Sequence, residues 1–314
     1  MENFLFTVNA VLPLFVIIAA GWLCRRKRLI VEDNIRFINR LCFRVLFPCI
    51  GFSSGYSSTL SFSDLRLIGF SLGAYAASFA ILLLAVPHFV RSREQACVVI
   101  HAGFRSNIVL FGIGMAYNLF GEAGAGPSIL TVATMVPLGN VMSVLLMKIY
   151  DRGEGEPVNA ASVIRSVATH PLIIAALLGI LCSLSGVVLP TIIIEPIRDL
   201  AGAAAPIAML GLGARLNFRS AAEHRRLLAA GCVIKLILLP AAAVAAGWLL
   251  GFRQYELGAV FIDFAMPTAS VVAIMADSEG GDAALAGEMV VFTSAFSCFT
   301  LFTGVYLMRS IGLF

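Results

Sequence analysis

The chain has 314 residues, of which 60% are apolar and 13% charged, with a formal net charge of +4 and a mean hydropathy of +0.94. Soluble domains are about 45–50% apolar and about 25% charged. The composition excludes an ordinary soluble enzyme, a disordered chain and a nucleic-acid binder, and it puts the protein in a bilayer.

A spanning helix needs about 20 mostly apolar residues. In chain order, ten stretches meet that need: 3–24, 34–53, 64–89, 95–119, 127–150, 167–186, 190–214, 226–250, 254–276 and 284–309. They consume most of the chain and leave no room for a soluble catalytic domain. The longest polar stretch, Asp151 to Arg165, reads as a linker through Gly153, Gly155 and Pro157. It separates a first five-helix unit, residues 1–157, from a second, residues 158–314. The seven cysteines all lie in or at the ends of apolar spans and show no metal-ligand spacing. They read as small packing residues.

The first span is followed, not preceded, by Arg25, Arg26, Lys27 and Arg28. A cleavable signal has its basic cluster in front. The order here holds the cluster in the cytosol and puts the N-terminus outside. Alternating from that start, the inner loops carry Arg91, Arg93, Lys148, Arg152, Arg165, Arg215, Arg219, Arg225 and Arg226, while the outer loops carry Arg253 alone. The last inner loop, Asp277 to Asp282, is acidic, but acidic residues count little in the positive-inside rule. Both termini are expected outside.

The halves resemble each other at an offset of 158 residues: Pro13, Leu14, Gly21, Leu23 and Cys24 recur as Pro171, Leu172, Gly179, Leu181 and Cys182, and Pro48, Gly55 and Gly73 as Pro206, Gly213 and Gly231. Five spans per half is an odd number, so the second half is inverted. Inverted repeats with a midplane site at their junction are the architecture of many secondary transporters.

Pro and Gly inside a span are tolerated where other groups satisfy the freed backbone. Helix 4 reads His101 to Asn107, then Gly112 and Gly114, and helix 9 reads Asp263, Pro267, Thr268 and Ser270. Both carry ionic or polar residues near the expected bilayer centre. Where two such helices unwind, their half-helix N-termini offer free N–H groups to an anion. The offset makes Arg105 and Asp263 equivalent positions. Two accounts stay open: Arg105 holds a substrate carboxylate and Asp263 accepts a coupling proton, or the two form a structural salt bridge. Lys235 in helix 8, Arg40 and Arg44 in helix 2, and Asn140 after Pro137 and Gly139 in helix 5 are weaker candidates. Glu195, Arg198 and Asp199 read as helical i,i+3 and i,i+4 pairing. His101 and His170 lack the HExxH spacing of a zinc protease, and no nucleotide-binding P-loop occurs.

The chain resembles the auxin efflux carrier family, which includes bacterial malonate and malate permeases and the plant PIN-FORMED proteins. The resemblance runs through Val11-Leu-Pro13, Ile38-Asn39-Arg40-Leu41 to Pro48, Arg105-Ser106-Asn107 to Gly112, Leu119-Phe120-Gly121-Glu122, Pro137-Leu138-Gly139-Asn140, His170-Pro171-Leu172 and Ala265-Met266-Pro267-Thr268-Ala269 to Gly280-Gly281-Asp282. It implies an all-α membrane fold of ten helices in two inverted repeats, with broken helices 4 and 9 crossing. It also implies a scaffold of helices 1, 2, 6 and 7, a transport unit of helices 3–5 and 8–10, and elevator-like motion. A homodimer through the scaffold and a small organic anion as substrate are expected, with no nucleic-acid partner. No resident cofactor is expected, and coupling is to protons, to sodium or absent. The expected substrate-binding set is Arg105, Ser106, Asn107, Gly112, Gly114, Asn140, Pro267, Thr268 and Ser270, with Asp263 and Lys235 as coupling candidates. Two departures stand out: Gly114 takes the place of a family proline, and Ser270-Val271-Val272 lacks a family asparagine. The short central loop points by analogy to a bacterial inner membrane.

Overall fold

The computed structural model describes residues 16–56, 65–112, 115–116, 119–121, 126–151, 165, 169, 171–215 and 218–313, and their regular structure is helical throughout. In chain order the helices are α1 (16–26), α2 (Glu32–Tyr56), α3 (Leu65–His88), α4a (Arg93–Phe104), α4b (from Ile108), α5 (Gly126–Tyr150), α6 (Pro171–Leu184), α7 (Thr191–Arg215), α8 (Arg225–Leu249), α9a (Gln254–Ala265), α9b (Val271–Glu279) and α10 (Ala283–Ser310). A short surface helix, Phe218–Glu223, precedes α8. Four of them, α3, α5, α8 and α10, are individually long and apolar enough to cross a membrane. The others are shorter, broken or charged at one end.

Local chemistry sets the boundaries. Ser92 opens α4a as its N-cap, its side chain accepting from the Gln95 N–H. Asp282 opens α10 by accepting the Leu285 N–H at 3.0 Å. The α2 helix starts at Glu32 and Asp33, whose negative charges favour the N-terminal end of a helix dipole. Two π-helical segments, Cys42–Leu46 in α2 and Ile234–Leu238 in α8, interrupt otherwise regular helices. Such bulges re-aim side chains and cluster at functional sites.

The helices sort into two packed groups. In one, α2 lies along α6 and α7, and α1 closes on α7 through glycine. A Cβ on Gly21 would fall on the Leu210 carbonyl and 3.1 Å from the Ala214 nitrogen. A Cβ on Gly179 would fall on the Phe52 carbonyl and 2.8 Å from the Tyr56 nitrogen. The second contact is the first shifted by 158 residues at every position, from Gly21 to Gly179, Phe52 to Leu210 and Tyr56 to Ala214. In the other group, α3, α4a, α5, α8, α9a and α10 surround one large apolar core. A smaller cluster of Cys42, Leu46, Phe47, Ala204, Ala208 and Ile274 joins the groups where α9b meets α2 and α7.

Between α4a and α4b, and between α9a and α9b, the chain runs extended, and the two breaks cross. Ser106 and Thr268 form an antiparallel bridge. The Asn107 N–H donates to the Pro267 carbonyl at 2.8 Å, and the Ala269 N–H to the Arg105 carbonyl at 3.0 Å. These bonds satisfy backbone groups that a broken helix would otherwise leave bare in hydrocarbon. The pair is symmetric at an offset of 162, not 158. Arg105 therefore corresponds to Pro267, and Asp263 to His101, which corrects the equivalence of Arg105 with Asp263. The four-residue step is about one helical turn.

The α9 break follows from Pro267, which holds Met266 extended (ψ 147°). The α4 break does not lie at a glycine. It falls at Arg105 to Asn107, and Gly112 sits beyond it in a π-helical run, where a Cβ would lie 3.2 Å from Ile262. Gly112 is thus a packing glycine against α9a. Gly114 lies outside the described residues.

Candidate functional site

The crossover gathers charge and polarity into an apolar interior. Arg105 caps α4a and is 7% exposed. Its guanidinium donates to Asn140 Oδ1 at 2.5 Å and lies, with the Tyr75 hydroxyl, against Gly139. Its Nε is buried with no partner. Gly139, one residue before Asn140, makes room for this side chain: a Cβ there would fall on the guanidinium and 2.7 Å from Tyr75 Oη. An arginine at the bilayer centre costs about 2.5–3.5 kcal/mol on insertion scales, so the partners that hold Arg105 in place matter.

Lys235 is a second buried cation, 1% exposed. The π segment of α8 aims it at the crossover, where its ammonium donates to Ser106 Oγ. Among the described residues, no carboxylate lies within ion-pair distance, 4.0 Å, of Arg105 or Lys235.

Asp263 is the buried carboxylate of the site. It sits in the last turn of α9a and accepts from Thr131 Oγ1 at 2.9 Å and Ser71 Oγ at 3.3 Å. Arg105 and Asp263 thus have separate partners, and the structural salt bridge between them does not form. On the other side of the crossover, Ser143 Oγ donates to the Gly139 carbonyl at 2.7 Å. Its one proton is used, so at 2.9 Å it accepts from His101 Nε2, and the bare Nδ1 of His101 faces the interior.

The remaining expected residues divide by exposure. Thr268 is fully buried; its hydroxyl donates to the Ala102 carbonyl at 2.9 Å, and its N–H donates to Thr293 Oγ1 at 3.1 Å. Ser106 is buried, whereas Asn107 and Ser270 are half-buried. Ser270 stands at the N-terminus of α9b without a side-chain cap bond. Arg105, Ser106, Asn107, Asn140, Lys235, Thr268 and Ser270 therefore converge on the crossing strands, with Pro267 forming part of them. Lys235 and Asn140, weaker candidates in the sequence, lie at the crossover, and Tyr75, Thr131 and Ser71, which the sequence does not single out, lie beside Arg105 and Asp263. Ser71, Tyr75 and Ser78 repeat at helical spacing along the buried face of α3. Elsewhere, Arg198 pairs with Glu195 at 3.0 Å on a solvent-accessible face of α7, as the spacing suggests. The seven cysteines are unbridged.

An apolar helical chain with buried charges that have no ion-pair partner among the described residues, where two helices break, is a polytopic membrane protein with an internal polar site. Its sequence matches the membrane transport protein family over residues 6–303. The chain belongs to this family, that of the auxin efflux carriers. It is 26% identical over 311 residues to a protein of Methanothermobacter thermautotrophicus named "Uncharacterized transporter", covering 95% of this chain and 97% of that one. It is 24% identical over 276 residues to the Escherichia coli transporter YfdV, covering 84% and 85% of the two chains. It is also 24% identical over 306 residues to a Rhizobium meliloti protein named "Putative malonate transporter", covering 96% and 95%.

Proposed function

We propose that the protein is a secondary carrier of a small organic anion, a mono- or dicarboxylate, bound at the crossover. The observation that carries this reading is Arg105. It is buried, held by Asn140, has a partnerless Nε, and is joined by Lys235, with no carboxylate of the described residues within 4.0 Å of either. Two desolvated cations so placed bind a carboxylate strongly, since charge-assisted hydrogen bonds to a guanidinium strengthen where water is excluded. Asn107 and Ser270, the half-buried residues of the crossing strands, flank the entry. The relative named for malonate transport fits the same chemistry.

The mechanism in this reading is alternating access by an elevator motion. The α1, α2, α6 and α7 group is the scaffold, and the group around the crossover moves. Two observations support an inverted repeat: the matched glycine contacts at an offset of 158 and the symmetric bridge at 162. Both termini face outward, the membrane is a bacterial inner membrane, and the scaffold surface forms a homodimer. Asp263 is the coupling residue: a carboxylate without a cationic side chain, which takes up positive charge when substrate moves.

Counterflow of labelled malonate in proteoliposomes tests the site. Arg105→Ala is expected to lower exchange about a hundredfold, in line with the loss of a charge-assisted contact of about 3 kcal/mol. Unchanged exchange of every small carboxylate tried would refute the assignment. Asp263→Asn is expected to keep counterflow while abolishing accumulation driven by an imposed ion gradient.

A further inference from the structure

We infer that Asp263, Thr131, Ser71 and Ser128 form a sodium site on the α9a side of the crossover. The inference rests on the reading of Asp263 as the residue that carries the coupling cation, and names that cation and its ligands.

Proton counting motivates it. Thr131 has one hydroxyl proton and two acceptors in reach, the Ser128 carbonyl at 3.1 Å and Asp263 Oδ1 at 2.9 Å. If it donates to the carbonyl, the hydroxyl and carboxylate oxygens face each other at 2.9 Å with no proton between them, an arrangement that a cation coordinated by both from one side relieves. Ser71 Oγ approaches the other carboxylate oxygen from α3. Ser128 lies one turn before Thr131 on α5, and its hydroxyl is fully buried without a partner. Among the described residues no lysine, arginine or histidine pairs with Asp263 within 4.0 Å. The first turns of α5 offer a partial positive charge, short of a full countercharge.

The donor set is all oxygen: one carboxylate and three hydroxyls from three helices, with the Ser128 carbonyl beside them. That is the set a hard cation takes. A bound proton needs a single acceptor and gives no role to the bare Ser128 hydroxyl. The side chains are short and the surroundings apolar, so the site suits a small ion stripped of most of its water. Asp263 and Arg105 lie on different helices, and both Asp263 and the crossover sit in the same packed group. Sodium binding at one would therefore stabilise the arrangement that presents the other.

The test is thermal unfolding of purified protein without any organic acid, replacing choline chloride by sodium chloride at constant ionic strength and neutral pH. The melting temperature is expected to rise with sodium, as for any ligand of the native state, and not with potassium. Asp263→Asn should abolish the response, and Ser128→Ala and Thr131→Val should each raise the half-saturating sodium concentration about tenfold. Arg105→Ala should leave the response intact. Equilibrium binding of radioactive sodium to the Ser128→Ala protein decides the matter should Asp263→Asn fail to fold. A sodium response that survives Asp263→Asn overturns the site. So does a wild type indifferent to sodium but stabilised by acid, which assigns Asp263 to a proton. Malonate binding that depends on Arg105, with no sodium response, would leave the carrier reading standing and remove this one. A sodium response in a protein that binds no organic acid would do the reverse.

Discussion

Arg105 lies across Gly139, and the smallness of that residue is what lets the guanidinium reach Asn140 beside the Tyr75 hydroxyl. Gly139→Ala is therefore expected to displace the guanidinium. Malonate exchange should fall at least about tenfold, while over-packing costs about 1–3 kcal/mol of stability; counterflow and a melting curve on one preparation separate the two. Tyr75→Phe removes the hydroxyl that shares the Gly139 recess with the Arg105 guanidinium and leaves the ring contacts with Phe104 and Phe264 in place. It should weaken substrate affinity and leave the melting temperature nearly unchanged. Residues of this kind were partly legible in the sequence. Arg105, Asn107 and Asp263 stand out because a polar or charged residue in a span is expensive. Thr131, Ser71 and Ser128 do not, because hydroxyl residues are common in apolar helices and satisfy themselves on the preceding turn. Only their convergence on Asp263 from separate helices gives them meaning, and no single-chain pattern encodes it.

The elements were more legible than the site. Spans expected at 64–89, 127–150, 226–250 and 284–309 appear as helices Leu65–His88, Gly126–Tyr150, Arg225–Leu249 and Ala283–Ser310. Length and apolarity alone fix these because the bilayer sets the measure. The polar residues mark the broken helices in the sequence, and the described break in helix 4 falls at Arg105 to Asn107, ahead of Gly112. It needs no special residue, since the crossing strand supplies the hydrogen bonds that the helix gives up. The glycines that matter lie elsewhere. Gly21 and Gly179 let backbones touch, as small residues do between membrane helices. Gly179→Leu should force α6 from α2 and lower the melting temperature, whereas Gly202→Leu, where a Cβ meets nothing, should be neutral. A matched loss at Gly21→Leu would show that the two contacts hold the same layer.

At the scale of the molecule, the orientation proposed from the basic loops is open to a direct test. In a cysteine-free background, Val188→Cys, in a loop proposed to face outward and 88% exposed, should react with an impermeant maleimide in intact cells. Arg226→Cys should react only after permeabilisation. The opposite pattern would invert the topology. The two registers of the repeat bear on energy as well as shape. The offset is 158 at Ala214 and 162 at Pro267, and α8 already begins 160 residues after α3. A carrier built from identical inverted halves has inward- and outward-facing states that are related by a two-fold axis in the membrane plane and equal in free energy. One extra turn in a single half removes that degeneracy. In the proposed carrier, the empty protein would then rest mainly on one side of the membrane, and its ligands would move it only as far as their unequal affinities for the two states allow. Import and export by such a chain are not one cycle run backwards from an even start.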